Sequence, residues 1–262
     1  MNRIDKIFED RERDLLNVYF TAGYPETGDT LRIATALDQH GADLIEIGIP
    51  FSDPVADGPT IQESSETALA NGMTLALLLE QLAGLRERVS VPVLLMGYIN
   101  PILQYGFENF CQKCQEVGID GLILPDLPMY EYQTHYKALL ARYGLYNIFL
   151  ISPQTGEERI REIDDHSQGF IYMVSSAAIT GAKSDISSTQ EAYFQRVKDM
   201  NLKRNLLIGF GISSHETFSK ACEYADGAII GSAFIRQLAT DSSESAIKNF
   251  IASIKKSSPL EA

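Results

Sequence analysis

The chain has 262 residues, 45% hydrophobic and 22% charged, with a formal net charge of −13; this is ordinary globular usage, long enough for one large core and unlike a disordered or membrane class. The acidic balance, with no Lys/Arg cluster to offset it, excludes nucleic acid as the main partner. It does not exclude a small anion, because backbone N–H groups at a helix start bind phosphate whatever the global charge.

The opening MNRIDKIFEDRERD is charged and lacks the apolar core of a signal peptide, so a cytoplasmic protein is expected. Apolar runs such as 122–125 and 228–230 fall far short of the roughly 20 residues that cross a bilayer. Along the chain, an amphipathic segment at 4–8 comes first and is expected to plug the N-terminal end of the fold. Eight short runs rich in Val, Ile, Leu, Phe and Tyr then recur at 17–20, 43–47, 93–96, 121–124, 147–151, 170–174, 206–209 and 227–230. Each is followed by helical periodicity, the βα alternation of a parallel sheet. Eight nearly continuous apolar strands favour a closed (β/α)8 barrel, a TIM barrel, over a doubly wound open sheet. The first strand is followed by TAGYP rather than G-x-G-x-x-G, so the dinucleotide fingerprint is missing. No composition break divides residues 1–262, which are expected to form a single domain.

Two connections are unusually long, one after strand 2 (48–59) and one after strand 6 (175 to about 189), and these are the lid candidates. Cys111 and Cys114 fall within the helical pattern of Phe107, Phe110 and Val117, with no second Cys/His pair at metal spacing, so core packing is expected.

Alternation along strand 2 places Glu46 on the face opposite Ile45 and Ile47, pointing into the barrel near its C-terminal end. A buried carboxylate there needs a partner or a function, and catalytic groups sit at that end of barrel strands. Asp57 follows in a Pro/Gly-punctuated loop that could fold over the barrel mouth. Asp53, before Pro54, reads as a local turn residue, and Asp126 in LPDLP is ambiguous on chemistry alone. Three glycine-containing turns point to a phosphate: GFGIS after strand 7, with Gly211; Gly231-Ser232 after strand 8, opening a helix; and Thr180-Gly181 in the loop after strand 6. None of the strand runs contains a lysine for a Schiff base, and His40, His135, His166 and His215 fall in helical or helix-edge segments rather than a ligand cluster. Proton transfer by carboxylates, helped by tyrosines such as Tyr172 and Tyr98, on a phosphorylated small molecule is the chemistry that remains.

The stretch LIEIGIPFSDPVADGPTIQ at 44–62 closely resembles the signature of the tryptophan synthase alpha chain family. Asn100-Pro101, LPDLP at 124–128, Thr180-Gly181-Ala182, GFGIS at 209–213 and Gly231-Ser232-Ala233 extend the resemblance in the family's order over essentially the whole chain. The resemblance implies a retro-aldol lyase that cleaves indole-3-glycerol phosphate to indole and glyceraldehyde 3-phosphate. It matches Glu46 to the catalytic acid/base, Asp57 to the acid that bonds the indole N–H, and Tyr172 to a residue lining the site. Tyr19, Tyr98, Ile123 and Phe210 match the indole pocket, and Gly181, Gly211, Gly231 and Ser232 match the phosphate cradle, with Thr180 in the lid. It also implies a partner, the beta chain, in an alpha2beta2 tetramer; the pyridoxal phosphate belongs to that chain and this one carries no cofactor. The Asp53 loop and the Asp126 turn would then lie at or near the interface. A stand-alone indole-3-glycerol phosphate lyase, or a non-catalytic activator of a beta chain, are the competing expectations.

Overall fold

In the computed structural model, residues 1–10, 14–54, 57–174, 187–209 and 211–256 are described. The eight strands are β1 (Leu15–Thr21), β2 (Leu44–Gly48), β3 (Val93–Met96), β4 (Gly121–Ile123), β5 (Tyr146–Ile151), β6 (Phe170–Val174), β7 (Asn205–Gly209) and β8 (Gly227–Ile230). They form a closed, all-parallel barrel in chain order, sealed where β8 pairs with β1 at Leu15↔Gly227 and Val18↔Ile230. Each strand carries little but apolar, β-branched or aromatic side chains because both of its faces are covered, one by the barrel interior and one by helices. Among the described residues no helix is long and apolar enough to cross a membrane.

The expected and observed strands agree to within a residue or two, and the difference at β2 has a physical cause. Asp43 was expected to open that strand; it instead stands just before it, its N–H donating to the Leu16 carbonyl and its Oδ2 accepting the Leu16 N–H at 2.8 Å. Asp120 before β4 does the same to Val93 of β3, and Asp226 before β8 to Leu206 of β7. Three aspartates thus clip β2, β4 and β8 to their predecessors and set the register from the N-terminal end. Each satisfies a strand-start N–H that burial would otherwise leave unpaired.

The helix Arg3–Asp10 does plug that end. Ile4 is fully buried and occupies space made by two glycines: a Cβ at Gly169 would stand 2.7 Å from Ile4 Cγ2, and one at Gly121 would stand 3.3 Å from Ile4 Cδ1. Phe8 packs on Phe170, and Arg3 and Arg86 both bind the buried Asp120 carboxylate, at 2.9 and 2.5 Å. With the bottom closed, the C-terminal ends of the strands are the open end. Cys111 and Cys114 are buried in the helix Phe107–Val117, where burial pushes the Cys111 thiol up to about 12; both are core residues.

Candidate active site

On β1 the alternation of side chains brings Asn17 and Tyr19 to the barrel interior, and on β2 it brings Glu46 and Gly48; the register sets Tyr19 beside Glu46 and Asn17 beside Leu44. Glu46 has no exposed surface. Its Oε1 accepts a 2.5 Å hydrogen bond from Asn17 Nδ2, and its Oε2 has no partner among the described residues. Burial without a cation pushes the carboxyl up to about 8, although the Asn17 amide pulls the other way. A group in this state holds a proton near neutrality and gives it up readily.

Two tyrosines lie over this carboxyl, each admitted by a glycine on the next strand. A Cβ at Gly48 would fall inside the Tyr19 hydroxyl, and one at Gly209 inside that of Tyr172. Gly209, expected to allow close approach of a phosphate, therefore serves a packing need. Both hydroxyls stay protonated: burial first, then the charge of Asp57 on Tyr19 and of Glu46 on Tyr172, raise them well above their ordinary range.

Asp57 arrives from the loop after β2. Gln62, in the first turns of the helix Pro59–Ala70, holds that loop by donating from Nε2 to the Asp57 carbonyl at 2.8 Å and the Pro54 carbonyl at 3.3 Å. The Asp57 side chain is 8% exposed, and its Oδ2 accepts from the Tyr98 hydroxyl at 3.1 Å. Burial raises its pKa and the Tyr98 bond offsets part of that rise. Tyr98 in turn packs on Phe51, with ring centroids 5.1 Å apart. Tyr19, Ile49, Asp57, Met96, Tyr98 and Pro125 line a narrow cleft, and Ile123 stands beside Met96 in the register, on the interior face of β4. The Asp57 carboxylate, the Ser65 side chain and the two tyrosines share this cleft with the apolar Ile49, Met96 and Pro125.

The two helices that follow β7 and β8 begin differently. Ahead of the helix His215–Cys222, Ser214 and Thr217 form a capping box that satisfies the first N–H groups. The helix Ser232–Thr240 starts at Gly231 with no side-chain cap, so its leading N–H groups remain available for an anion. Gly231 lies next to Tyr19, since a Cβ there would stand 3.4 Å from Tyr19 Cδ1, which brings this helix start to the mouth above Glu46. Gly211 is exposed with φ +81°, a conformation that favours glycine.

Glu46, Asp57, Tyr19, Tyr98, Tyr172, Ile123, Gly231 and Ser232 are thus placed on the interior or mouth of one barrel end. Thr180, Gly181 and Phe210 lie outside the described residues. Asp126, ambiguous from sequence, accepts the Ile99 N–H at 3.0 and 3.1 Å and so caps the helix Ile99–Tyr105, while Asp53 is exposed and bonded to Ser52. Two residues were missed. Gln62 gives no chemical signal of its own in the sequence, only its place at the end of the stretch 44–62, but Asn17 does, as a polar residue in a buried apolar strand with the same parity as Tyr19. An open groove between the helices Glu157–His166 and Ser188–Asp199 lies on the barrel's outside, away from these groups.

Residues 6–260 match the family model described as tryptophan synthase alpha chain. The tryptophan synthase alpha chain of Flavobacterium johnsoniae is 56% identical over 256 residues, covering 97% of this chain and all of that one. The alpha chain of Bacteroides thetaiotaomicron is 55% identical over 238 residues, covering 91% and 93%. Among solved structures, the alpha chain of Legionella pneumophila superposes with a TM-score of 0.86 at 36% identity, covering 98% and 97%. A chain of the tryptophan synthase of M. tuberculosis in its aminoacrylate-bound form gives 0.84 at 29% identity, covering 97% and 98%. With the barrel and both carboxylates in place and a family match over nearly its whole length, the chain belongs to the tryptophan synthase alpha chain family.

Proposed function

We propose that Glu46 and Asp57 carry out the family's lyase reaction in tryptophan biosynthesis, the cleavage of indole-3-glycerol phosphate to indole and glyceraldehyde 3-phosphate. The observation that carries the assignment is the state of Glu46: wholly buried, one oxygen held by Asn17, the other without a partner among the described residues, and titrating at about 8. Glu46 gives its proton to carbon 3 of the indole ring, which leaves the ring nitrogen positively charged. Asp57 accepts the ring N–H and stabilises that charge across the cleft, in a site dry enough for the interaction to count. The Glu46 carboxylate then takes the proton of the glycerol hydroxyl next to the scissile bond. The electrons of that O–H form the aldehyde carbonyl, those of the carbon–carbon bond return to the ring, and Glu46 is again protonated. Protonated indole is itself the leaving group, so the cycle is balanced by a single shuttled proton.

The uncapped start of the helix Ser232–Thr240 supports phosphate binding by Gly231 and Ser232, with Gly211 and Gly181 completing the cradle and Thr180 in the lid. Tyr19, Tyr98, Ile123 and Phe210 form the indole pocket. A beta chain is the partner that family membership implies. The finer assignment is an alpha2beta2 tetramer in the cytoplasm, the pyridoxal phosphate being held by the beta chain.

Glu46→Gln tests the assignment, because it keeps the shape and removes the titrating proton. Indole release measured with and without a beta chain should fall by roughly 10²-fold or more, while binding of indole-propanol phosphate persists. Turnover near that of the unaltered chain refutes the role of Glu46.

A further inference from the structure

Asn17 is a buried polar residue in a layer of the barrel that has no other use for one. Its neighbours in the register are Leu44 of β2 and Ile229 of β8, and it has no exposed surface. Burying an amide among apolar side chains costs stability unless its groups are bonded, and among the described residues only half of them are: Nδ2 donates to Glu46 Oε1 at 2.5 Å, while Oδ1 meets no partner there. A leucine or valine would pack this layer without that penalty, so stability alone does not account for the residue.

The location supplies a different account. Asn17 stands two residues before Tyr19 on the same strand face, one layer deeper than Glu46, and so meets the carboxyl from beneath. We propose that Asn17 is a positioning residue for the reaction: its amide, bonded to Glu46 Oε1, fixes the carboxyl so that Oε2 is the oxygen that exchanges a proton with substrate. The proposal rests on the assignment of Glu46 as acid/base. The amide does two things at once. It stops rotation of a carboxyl that no other hydrogen bond from the described residues holds, and it favours the ionised form that must exist midway through the reaction, against the burial that opposes it.

The test compares Asn17→Leu, Glu46→Gln and the unaltered chain with indole-3-glycerol phosphate across pH, alongside the side-chain amide resonance of Asn17 in the unaltered chain. Loss of a hydrogen bond to a charged group predicts a kcat lower by roughly 10- to 100-fold in Asn17→Leu, with KM changed less than about twofold. The Glu46 limb of the pH profile should move to higher pH. The Asn17 amide resonance should titrate with Glu46, near pH 8, and lie flat in Glu46→Gln. A merely structural role for Asn17 would leave kcat and the pH limb unmoved. If Glu46→Gln keeps its turnover, the assignment of Glu46 fails and Asn17 falls with it. If Glu46→Gln is inactive while Asn17→Leu keeps its kcat and pH profile, the role of Asn17 alone is overturned. Should Asn17→Leu not fold, the resonance decides: an amide insensitive to pH while Glu46 titrates overturns the proposal.

Discussion

Glu46→Gln should change the pH dependence of stability as well as the rate, because the carboxyl titrates at about 8 in the fold against an ordinary value of 4.5. Below pH 4.5 it is neutral in both the folded and unfolded chain and favours neither. Between pH 4.5 and about 8 the unfolded carboxyl ionises while the folded one keeps its proton, so stability falls as pH rises. Above about 8 both forms are ionised and the loss is complete. At ~1.36 kcal/mol per pH unit over that interval the loss is on the order of a few kcal/mol. For a chain of this size each kcal/mol moves Tm by roughly 2 to 4 °C, so the effect is on the order of 10 to 20 °C. The glutamine side chain of the variant cannot ionise and keeps an oxygen for Asn17. Thermal melts followed by circular dichroism from pH 4.5 to 9 should therefore show the variant gaining on the unaltered chain as pH rises, with the difference closing towards pH 4.5. Two melting curves that run parallel across this range refute the claim that the fold holds Glu46 in its neutral form.

Asp57→Asn removes the charge that faces the developing indolium while keeping a group that can accept the ring N–H; kcat should fall roughly 10²- to 10³-fold with little change in KM, and steady-state assays that find the loss in KM instead contradict the role given to Asp57. Ser232→Asp sets a negative charge at the start of the helix Ser232–Thr240. KM for the phosphorylated substrate should rise at least roughly tenfold, with kcat at saturation close to that of the unaltered chain. Ile4→Ala empties the space between Gly121 and Gly169, where backbone limits collapse, and urea unfolding should register a loss of ~2–5 kcal/mol.

Much of the architecture is legible in the sequence because a parallel barrel writes itself in one dimension. Strands covered on both faces read as short apolar runs, and eight of them separated by helical periodicity leave few closed arrangements. Glu46 is legible for a related reason: a carboxylate inside such a run can point only inward, and position along the strand then puts it near the open end. The family signature around it added the substrate and the pairing with Asp57, which composition and spacing could not supply.

The tertiary structure decided what depends on residues far apart in the chain. The state of Glu46 is set by Asn17, 29 positions earlier, and by the apolar walls around both. Gly48 and Gly209 look like turn glycines until Tyr19 and Tyr172 are seen to occupy the space a Cβ would need. Asp43, Asp120 and Asp226 resemble loop acids at strand starts, yet each binds the backbone of the neighbouring strand. Asp57 is an acid in a loop until Gln62 and Tyr98 hold it over the cleft. Periodicity records which face of an element is buried, a property each residue carries through its own polarity. What lies opposite that face, and so the protonation, rotamer and room available to a side chain, depends on closure of the barrel, and closure is what turned a list of inward-pointing residues into a site.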